Sequence, residues 1–331
     1  MTIGIACIGY GYWGPNLVRN FARQMDCQVY VVCDSKPENQ IRIHRDWPMV
    51  KVVADAMEAI HDPRIDAVLL ATPVATHHPL AMAALRAGKH VFVEKPLAGS
   101  VAEAEELVAF AASQQRILMV DHTFVYTPAV QKIHELIRTG TMGELYYYDS
   151  TRVNLGLFQT DVNVIWDLAV HDFAILKILV PEQPVRILAN GVSHFPDTPQ
   201  GMAQICVEYA STFRAFINVS WMSPVKVRST LVGGNRRMLL FNDLEPSEKI
   251  RIFDTGIKQI LGTQESDRFR MDYRMGDIHI PHLPVTEALM NVATVFLDAI
   301  LHNTTPLTDG QVGLDGAENR PPIPPPFFFN T

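Results

Sequence analysis

A lysine and a histidine of this chain stand in sequence contexts suited to proton transfer from an alcohol. Lys95 lies in the tripeptide Glu94-Lys95-Pro96 behind a short apolar run, and Asp167 precedes His171 by four residues. Histidine titrates near neutral pH and can accept a hydroxyl proton, while a lysine cation stabilises the alkoxide that develops. These residue types are suited to the oxidation of a secondary alcohol, in which the hydroxyl loses its proton while a hydride passes to a bound cofactor.

An aspartate and a histidine four residues apart share one helix face, but such pairs are also common on solvated surfaces. The residues between Asp167 and His171 are Leu168, Ala169 and Val170, which predict a mostly buried helix. Because a buried charged pair is seldom incidental and Glu94-Lys95-Pro96 is also present, the pair is interpreted as catalytic, with the carboxylate steadying a protonated imidazole.

A glycine-rich segment near residue 10 has the spacing of a dinucleotide-binding loop. Gly9, Gly11 and Gly14 spell G-x-G-x-x-G behind the apolar run 3–8, and a second apolar run ends in Asp34. The glycines permit a tight turn, close approach of a pyrophosphate and close helix packing, and the helix N-terminus offers its amides to the phosphates. The pattern predicts NAD as the cofactor, because Asp34 would accept ribose hydroxyls and repel a 2′-phosphate.

The elements that would position these groups alternate between short apolar runs and helical stretches up to about residue 121. This alternation predicts a parallel, doubly wound sheet covered on both faces. The predicted strands are residues 3–8, 28–33, 49–53, 67–71, 90–93 and 117–120, and the predicted helices are 15–23, 54–60, 77–87 and 101–113.

Beyond residue 122 the pattern changes to consecutive strands joined by short turns. Helices are predicted at 128–138, 164–179 and 285–301, and strands at 145–153, 185–192, 203–209, 213–221, 227–232, 237–241 and 250–253. Gly233-Gly234-Asn235 is typical of a hairpin turn. We predict an α/β Rossmann domain over residues 1–121, and an α+β domain with a large, mostly antiparallel open sheet over 122–314. Residues 315–331 form an atypical tail rich in proline and phenylalanine.

Three segments form a specific combination in this order and spacing. They are ATPVATHHPLAMAALRAGKHVFVEKPLA (71–98), GELYYYDSTRVNLG (143–156) and VIWDLAVHDFAIL (164–176). Together they resemble the Gfo/Idh/MocA family of NAD(P)-dependent sugar and cyclitol oxidoreductases. The resemblance implies that Lys95 reaches the reacting hydroxyl, that the bond before Pro96 is often cis, and that Asp167 and His171 are the catalytic pair.

The resemblance also implies that Thr72-Pro73 borders the nicotinamide ribose and that His77 caps the next helix. The full set of implied cofactor-binding residues is Gly9, Tyr10, Gly11, Tyr12, Trp13, Gly14, Asp34, Ser35, Thr72, Pro73, His77, Glu94, Lys95 and Pro96.

Residues 122–130 (HTFVYTPAV) and 143–172 look most similar to the branch that oxidises the 3-hydroxyl of UDP-N-acetylglucosamine-type sugar nucleotides. The 3-keto product of that branch is used for amino sugars of lipid A and other surface glycolipids. Side chains expected near the sugar are Tyr126, Arg152, Asn154, Asn163 and His171, and candidate cations for the diphosphate are Arg228, Arg236 and Arg237. Two alternatives stay open: a dehydrogenase of a free sugar or inositol, and a cofactor-binding regulator without catalysis. The intact Lys95, Asp167 and His171 argue against the regulator.

Composition narrows the class of protein further. The 331-residue chain has a net charge of −7 and no clustered basic stripe, unlike most nucleic-acid binders. No apolar run approaches the roughly 18 residues of a membrane span, and the first apolar run lacks the basic region of a signal peptide. The four cysteines (Cys7, Cys27, Cys33 and Cys206) show no metal-binding or disulfide spacing. We therefore expect a cytoplasmic enzyme without a metal site.

Two further expectations concern surfaces. Phe213, Ala215, Ile217 and Val219 alternate along one predicted strand, and we expect this apolar face to join subunits into a homodimer or homotetramer. Residues 317–331, AENRPPIPPPFFFNT, carry five prolines followed by three phenylalanines. Because proline disfavours a helix, we expect this tail to run extended across the surface with its phenylalanines in an apolar groove.

Overall fold

The computed structural model describes residues 2–156, 158, 162–259 and 271–318, which divide into two compact units. The first unit comprises residues up to Thr127 together with Thr286–Glu318, and the second comprises Pro128–Val285. The sequence-based division at residue 121 differs from this one, because it assigned the last helices to the second domain. The tail expected to cross the surface extends beyond residue 318 and lies outside the described residues.

A six-stranded parallel sheet is the centre of the first unit. Its strands are β1 (Ile3–Ile8), β2 (Cys27–Cys33), β3 (Lys51–Val53), β4 (Ala67–Leu70), β5 (His90–Glu94) and β6 (Leu118–Asp121), in the spatial order β3-β2-β1-β4-β5-β6. The connecting helices are α1 (Gly14–Phe21), α2 (Pro37–Asp46), α3 (Ala56–Ile60), α4 (His77–Arg86) and α5 (Val101–Ser113). This strand order is that of a doubly wound nucleotide-binding sheet, whose winding reverses between β1 and β4. The predicted Rossmann fold is confirmed.

An eight-stranded, mostly antiparallel sheet is the centre of the second unit. It is preceded by α6 (Pro128–Arg138), and α7 (Val170–Leu179) lies between its first two strands along the chain. The strands are β7 (Leu145–Leu155), β8 (Pro184–Val192), β9 (Met202–Tyr209), β10 (Arg214–Ser220), β11 (Met222–Gly234), β12 (Met238–Asn242), β13 (Ile250–Phe253) and β16 (Ile278–His279), while β14 (Gly256–Gln259) and β15 (Met271–Arg274) pair separately. Of the neighbouring strands, β7 and β10 run parallel and the other pairs are antiparallel. The predicted sheet class is confirmed, and a hairpin joins β11 to β12 at Gly233-Gly234 as expected.

Two later helices, α8 (Ala288–His302) and α9 (Gly310–Glu318), complete the first unit. On α8, the ring of Phe296 packs edge-on against Phe21 and Phe92, with centroids 6.1 and 5.5 Å away. Ahead of α9, the Thr308 hydroxyl donates to the Val120 carbonyl and the Thr308 carbonyl accepts the Val120 N–H, both at 2.9 Å. These contacts with α1, β5 and β6 explain why residues 286–318 belong to the first unit.

The apolar face expected to join subunits is part of the protein core. Phe213, Ala215, Ile217 and Val219 are each 4 % exposed or less, so this face is already covered within the chain. The expectation of an interface on this face is therefore wrong. The opposite face of the same sheet carries the exposed apolar side chains, including Leu188, Phe216 and Leu231.

Candidate active site

The glycine-rich turn between β1 and α1 has the backbone form that a dinucleotide requires. Gly9 has a φ of +97°, and a Cβ there would lie 2.4 Å from the Ala71 carbonyl oxygen. A Cβ at Gly14 would lie 2.0 Å from the Gly9 oxygen, so neither position accepts a side chain. A Cβ at Gly11 would meet no described atom within 4 Å, which leaves room for a pyrophosphate to approach this backbone. The turn therefore fits NAD.

The first turn of α1 adds to this fit. Trp13 precedes the helix and makes no capping hydrogen bond with its side chain, so the first amides of α1 are not used by a local side-chain cap. Pro15 occupies an early position where its missing N–H costs nothing. Amides at a helix N-terminus favour the negative charge of a pyrophosphate.

Asp34 directly follows β2 and lies against the glycine turn. Its carboxylate accepts the backbone N–H groups of Tyr10 at 2.7 Å and Lys36 at 2.9 Å. A carboxylate has about four acceptor positions, so both oxygens keep capacity for ribose hydroxyls. Ser35 is exposed beside it. The geometry is compatible with the role in ribose binding that the sequence predicts for Asp34.

The three aromatic residues of the turn lie in different environments. The Tyr10 ring is buried, and its hydroxyl donates to Asp46 at 3.3 Å and accepts from the Trp47 indole at 3.1 Å, so Tyr10 offers the turn only its backbone. Tyr12 is 92 % exposed and stacks on Trp13. The Trp13 indole N–H donates to Asp121 Oδ2 at 3.0 Å, which ties the turn to the end of β6.

His77 joins the turns that follow β4 and β5. Its Nε2 lies 2.8 Å from the Thr72 carbonyl oxygen and its Nδ1 lies 2.8 Å from the Pro96 carbonyl oxygen. Burial lowers the pKa of His77, and the two carbonyl contacts oppose this effect. The expectation that His77 caps α4 is wrong, because its ring is engaged by these carbonyls rather than by the helix amides. The Lys95–Pro96 bond is cis, as the resemblance implied.

The carboxyl ends of β5 and β6 bring several ionisable groups together. Glu94 pairs in register with Asp121, whose side chain is almost fully buried. Burial raises the pKa of Glu94 well above its ordinary value, and the neighbouring Asp121 carboxylate adds to this shift. Lys95 follows directly and is half-buried at the same edge. Sequence reasoning missed Asp121, although its place at the end of the strand beside β5 was an available signal.

In the second unit, Asp167 and His171 lie on either side of the start of α7. Residues Ile165–Ala169 form a π-helical turn, a feature frequent at functional sites. Asp167 Oδ2 accepts the Trp221 indole N–H at 3.0 Å, which fixes the carboxylate more directly than the helical spacing assumed from sequence. His171 is half-buried in the first turn of α7.

The other polar residues expected near the sugar lie ahead of α7 and on β7. Asn163 Oδ1 accepts the N–H groups of Ile165 and Trp166 at 3.1 and 3.2 Å and so caps the turn that carries Asp167. Asn154 is half-buried near the end of β7. Arg152 lies two residues earlier and is 4 % exposed.

A buried ion pair supports α7 next to His171. Asp172 accepts hydrogen bonds from Arg152 Nε at 3.2 Å, the Tyr148 hydroxyl at 2.8 Å and the Ser150 hydroxyl at 2.6 Å. Burial and the Asp172 charge raise the pKa of Tyr148. The geometry gives Arg152 a structural partner in Asp172, and its contact with the sugar stays a prediction. Asp172 was missed, and the alternation of Tyr148, Ser150 and Arg152 on one face of β7 was the only signal for it.

Tyr126 belongs to the first unit, where its hydroxyl has structural partners. Thr308 donates its hydroxyl proton to Val120, so the Tyr126 hydroxyl must donate to Thr308 Oγ1 at 3.0 Å. The same hydroxyl accepts the Thr308 N–H at 3.2 Å, and burial raises the pKa of Tyr126 to about 12. The structure thus gives Tyr126 a structural role, and its contact with the sugar stays a prediction.

Of the arginines considered for a diphosphate, Arg228 lies on β11 opposite Arg152 of β7, and Arg236 and Arg237 lie between β11 and β12. Arg228 pairs with Asp243 at 3.2 Å and Arg237 with Asp254 at 3.3 Å, while Arg236 is exposed. Arg236 and Arg237 line a cavity of about 960 Å³. Two of the three cations thus have carboxylate partners within the unit.

Among the residues that the structure describes, no group of three or more His, Cys, Asp or Glu side chains is arranged to hold a metal ion. Within the same residues, no helix combines the length and apolarity needed to cross a membrane.

The strand order, the glycine turn and Asp34 define an NAD-binding Rossmann unit, here joined to a unit with a large antiparallel sheet. The chain belongs to the Gfo/Idh/MocA family of oxidoreductases. The family model described as "Oxidoreductase family, NAD-binding Rossmann fold" matches residues 3–122, and the "GFO/IDH/MocA C-terminal domain" matches residues 130–239.

Several curated proteins are similar to this chain over part of their length. The uncharacterized oxidoreductase YdgJ of Escherichia coli is 36 % identical over 45 % of this chain and 42 % of its own. Myo-inositol 2-dehydrogenase of Thermotoga maritima is 26 % identical over 58 % of each chain. UDP-N-acetylglucosamine 3-dehydrogenase of Acidithiobacillus ferrooxidans is 29 % identical over 57 % of this chain and 53 % of its own. The chain thus spans about half the length of these relatives.

A solved structure of the Acidithiobacillus ferrooxidans enzyme has the same fold. It superposes with a TM-score of 0.79 at 22 % identity and covers 96 % of this chain and 95 % of its own.

Proposed function

We propose that this protein is an NAD-dependent dehydrogenase that oxidises a secondary hydroxyl, at C3, of a sugar nucleotide such as UDP-N-acetylglucosamine. The observation that carries the proposal is the placement of Lys95. This lysine directly follows β5 at the carboxyl edge of the NAD-binding sheet, where ligands of doubly wound sheets bind. The similarity to a UDP-N-acetylglucosamine 3-dehydrogenase supports the choice of substrate.

The proposed roles follow from the chemistry of the side chains. His171 accepts the proton of the reacting hydroxyl, and Asp167, held by Trp221, supplies negative charge near the start of α7. Lys95 stabilises the negative charge that develops on the substrate oxygen. Bound NAD supplies the hydride acceptor.

A panel of substrates with NAD tests this function. Sugar nucleotides, free sugars and myo-inositol are each incubated with the enzyme, and NADH is followed by its absorbance. We expect turnover of a UDP-N-acetyl sugar, and a loss of at least about a hundredfold in kcat for His171→Ala and Lys95→Met. His78→Ala and Lys226→Met are matched controls at a partly exposed histidine and an exposed lysine, and their kcat should stay unchanged. Near-normal turnover by either catalytic variant would contradict its assigned role.

A second candidate substrate is a free inositol or sugar. The similarity to myo-inositol 2-dehydrogenase supports this alternative. Turnover of myo-inositol without turnover of any sugar nucleotide in the same panel would replace the leading proposal by this one.

We propose that self-association uses the exposed face of the large sheet. Leu188, Phe216 and Leu231 lie in one row across the sheet and are 43 %, 46 % and 42 % exposed, with Cys206 of β9 and Asp149 of β7 between them. Apolar side chains grouped in this way favour a partner surface. Light scattering should report a dimer or tetramer at micromolar concentration and a smaller species for Phe216→Lys. A wild-type monomer would contradict the proposal.

A further inference from the structure

His122 lies beside Lys95 at the edge of the parallel sheet. Glu94 and Asp121 are register partners at the ends of β5 and β6, so Lys95 and His122 occupy the next positions of two adjacent strands. The His122 N–H donates to the Val120 carbonyl at 2.8 Å, and the chain then turns into a short helical segment. His122 is 3 % exposed. An imidazole is thus buried next to the lysine assigned to the reacting oxygen.

Neither ring nitrogen of His122 has a hydrogen-bond partner among the described residues. Such buried polar atoms are rare, because removing them from water without compensation destabilises the fold. Two other histidines of this unit do have polar partners: buried His77 contacts two carbonyl oxygens, and half-buried His90 accepts the Ile117 N–H at Nδ1 at 3.0 Å. Packing alone does not explain a histidine at position 122, since phenylalanine would fill the same space without burying polar nitrogens that lack hydrogen bonds.

The charge state of His122 suits it to accept a hydrogen bond. Burial lowers the pKa of His122 to about 4, and the nearby Lys95 ammonium acts in the same direction. At neutral pH the ring is uncharged, with one N–H donor and one unprotonated nitrogen. A lysine ammonium carries three donors on a flexible stem and offers no acceptor. The two side chains are complementary.

We propose that His122 is a positioning residue for Lys95: its unprotonated ring nitrogen accepts a hydrogen bond from the Lys95 ammonium and holds the ammonium at the edge of β5 and β6. The side-chain stem of lysine has many rotamers, and this contact restricts them. A restricted ammonium is ready for the oxygen on which negative charge develops. Only this last step rests on the proposed function, since the contact itself depends on the first unit alone.

Competitive acetylation of lysines tests the contact without substrate or cofactor. The protein is labelled with trace acetic anhydride, and the rate at Lys95 is measured by mass spectrometry relative to exposed Lys226. A hydrogen bond to the ammonium favours its protonated, unreactive form, so His122→Phe should raise the relative rate about tenfold, the factor of one charge-assisted bond. His122→Gln keeps an acceptor and should restore a rate near that of the wild type. An unchanged rate in the phenylalanine variant, or an equal rise in both variants, overturns the proposal.

Kinetics with the substrate found in the panel test the consequence for turnover. We expect His122→Phe to lower kcat about tenfold with little change in KM, and His122→Gln to recover most of the loss. Combined with Lys95→Met, the phenylalanine substitution should cause no further loss, because the histidine acts through the lysine. If the fold-losses in kcat of the two single variants multiply in the double variant, the proposal is overturned. If no substrate is turned over, the proposed function fails, and the acetylation rates still decide the role of His122.

Discussion

Replacing Arg152 by methionine should destabilise the second unit, because the guanidinium is part of a buried ion pair. Arg152 is 4 % exposed, and its Nε lies 3.2 Å from Asp172 Oδ2. Methionine retains most of the side-chain volume but removes the charge. The Asp172 carboxylate then stays buried without its cation, and the free energy of unfolding of the unit falls.

The size of the effect follows from the remaining partners of Asp172. Removing one member of a buried ion pair costs about 3–5 kcal/mol. Because the hydroxyls of Tyr148 and Ser150 still donate to Asp172 at 2.8 and 2.6 Å, we expect a value near the lower limit. In units of about 150–250 residues, 1 kcal/mol shifts Tm by about 2–4 °C. The expected fall in Tm for Arg152→Met is therefore about 6–12 °C.

Scanning calorimetry of three variants measures this effect. Asp172→Ala should be at least as destabilising as Arg152→Met, because it leaves the arginine buried without its carboxylate. The double variant Arg152→Met/Asp172→Leu buries neither charge and should be more stable than either single variant. The competing interpretation assigns the guanidinium to the sugar. A Tm for Arg152→Met within about 2 °C of the wild type, together with a KM raised about tenfold, would support that interpretation and refute ours.

Three shorter predictions concern the first unit. Asp34→Asn keeps the shape of the side chain but removes the charge that would face a 2′-phosphate. Fluorescence titration should therefore show that the ratio of the Kd for NADPH to the Kd for NADH falls about tenfold. A wild type that binds NADPH more tightly than NADH would contradict the assignment. Gly11→Ala should weaken NADH binding and leave Tm unchanged. Gly14→Ala should also lower Tm, because of the two new Cβ atoms only the one at position 14 would clash with the backbone. Equal Tm values for the two variants would refute this. Burial lowers the pKa of His90 to about 4, and the positive charge of Arg116 acts in the same direction. Between pH 6.5 and 4 the folded state therefore binds fewer protons than the unfolded state. Stability should be complete above this window and fall as the pH drops through it, and Tm at pH 5 and 7.5 should differ less in His90→Asn than in the wild type.

Much of the fold follows from apolar periodicity. Strands β1 and β13 begin and end where the sequence predicts. Strand β1 is buried along its whole length, and β13 alternates between buried and half-buried residues, so both have a clear apolar pattern. Helix α2 was missed, since Ile43 is its only residue that is fully buried and it therefore has little apolar pattern.

Sequence patterns also could not tell which sheet face is covered. Alternation along β10 separates Ala215, Ile217 and Val219 from Phe216, but both sets contain apolar residues. The packing of distant elements decides which set is buried. The same limit applies to Tyr126 and Arg152, whose residue types suggested contact with a sugar. Only the structure shows their bonds to Thr308, 182 residues away, and to Asp172, 20 residues away.

The late return of the chain to the first unit has a consequence for synthesis. When the ribosome has made β1 to β6, the aromatic surface of Phe21 and Phe92 still lacks Phe296, and the edge strand β6 still lacks its bond to Thr308. The missing helices emerge only after the whole second unit has been translated. The unit encoded first is therefore completed last, and the nascent chain exposes an apolar surface and an open strand edge for most of its synthesis.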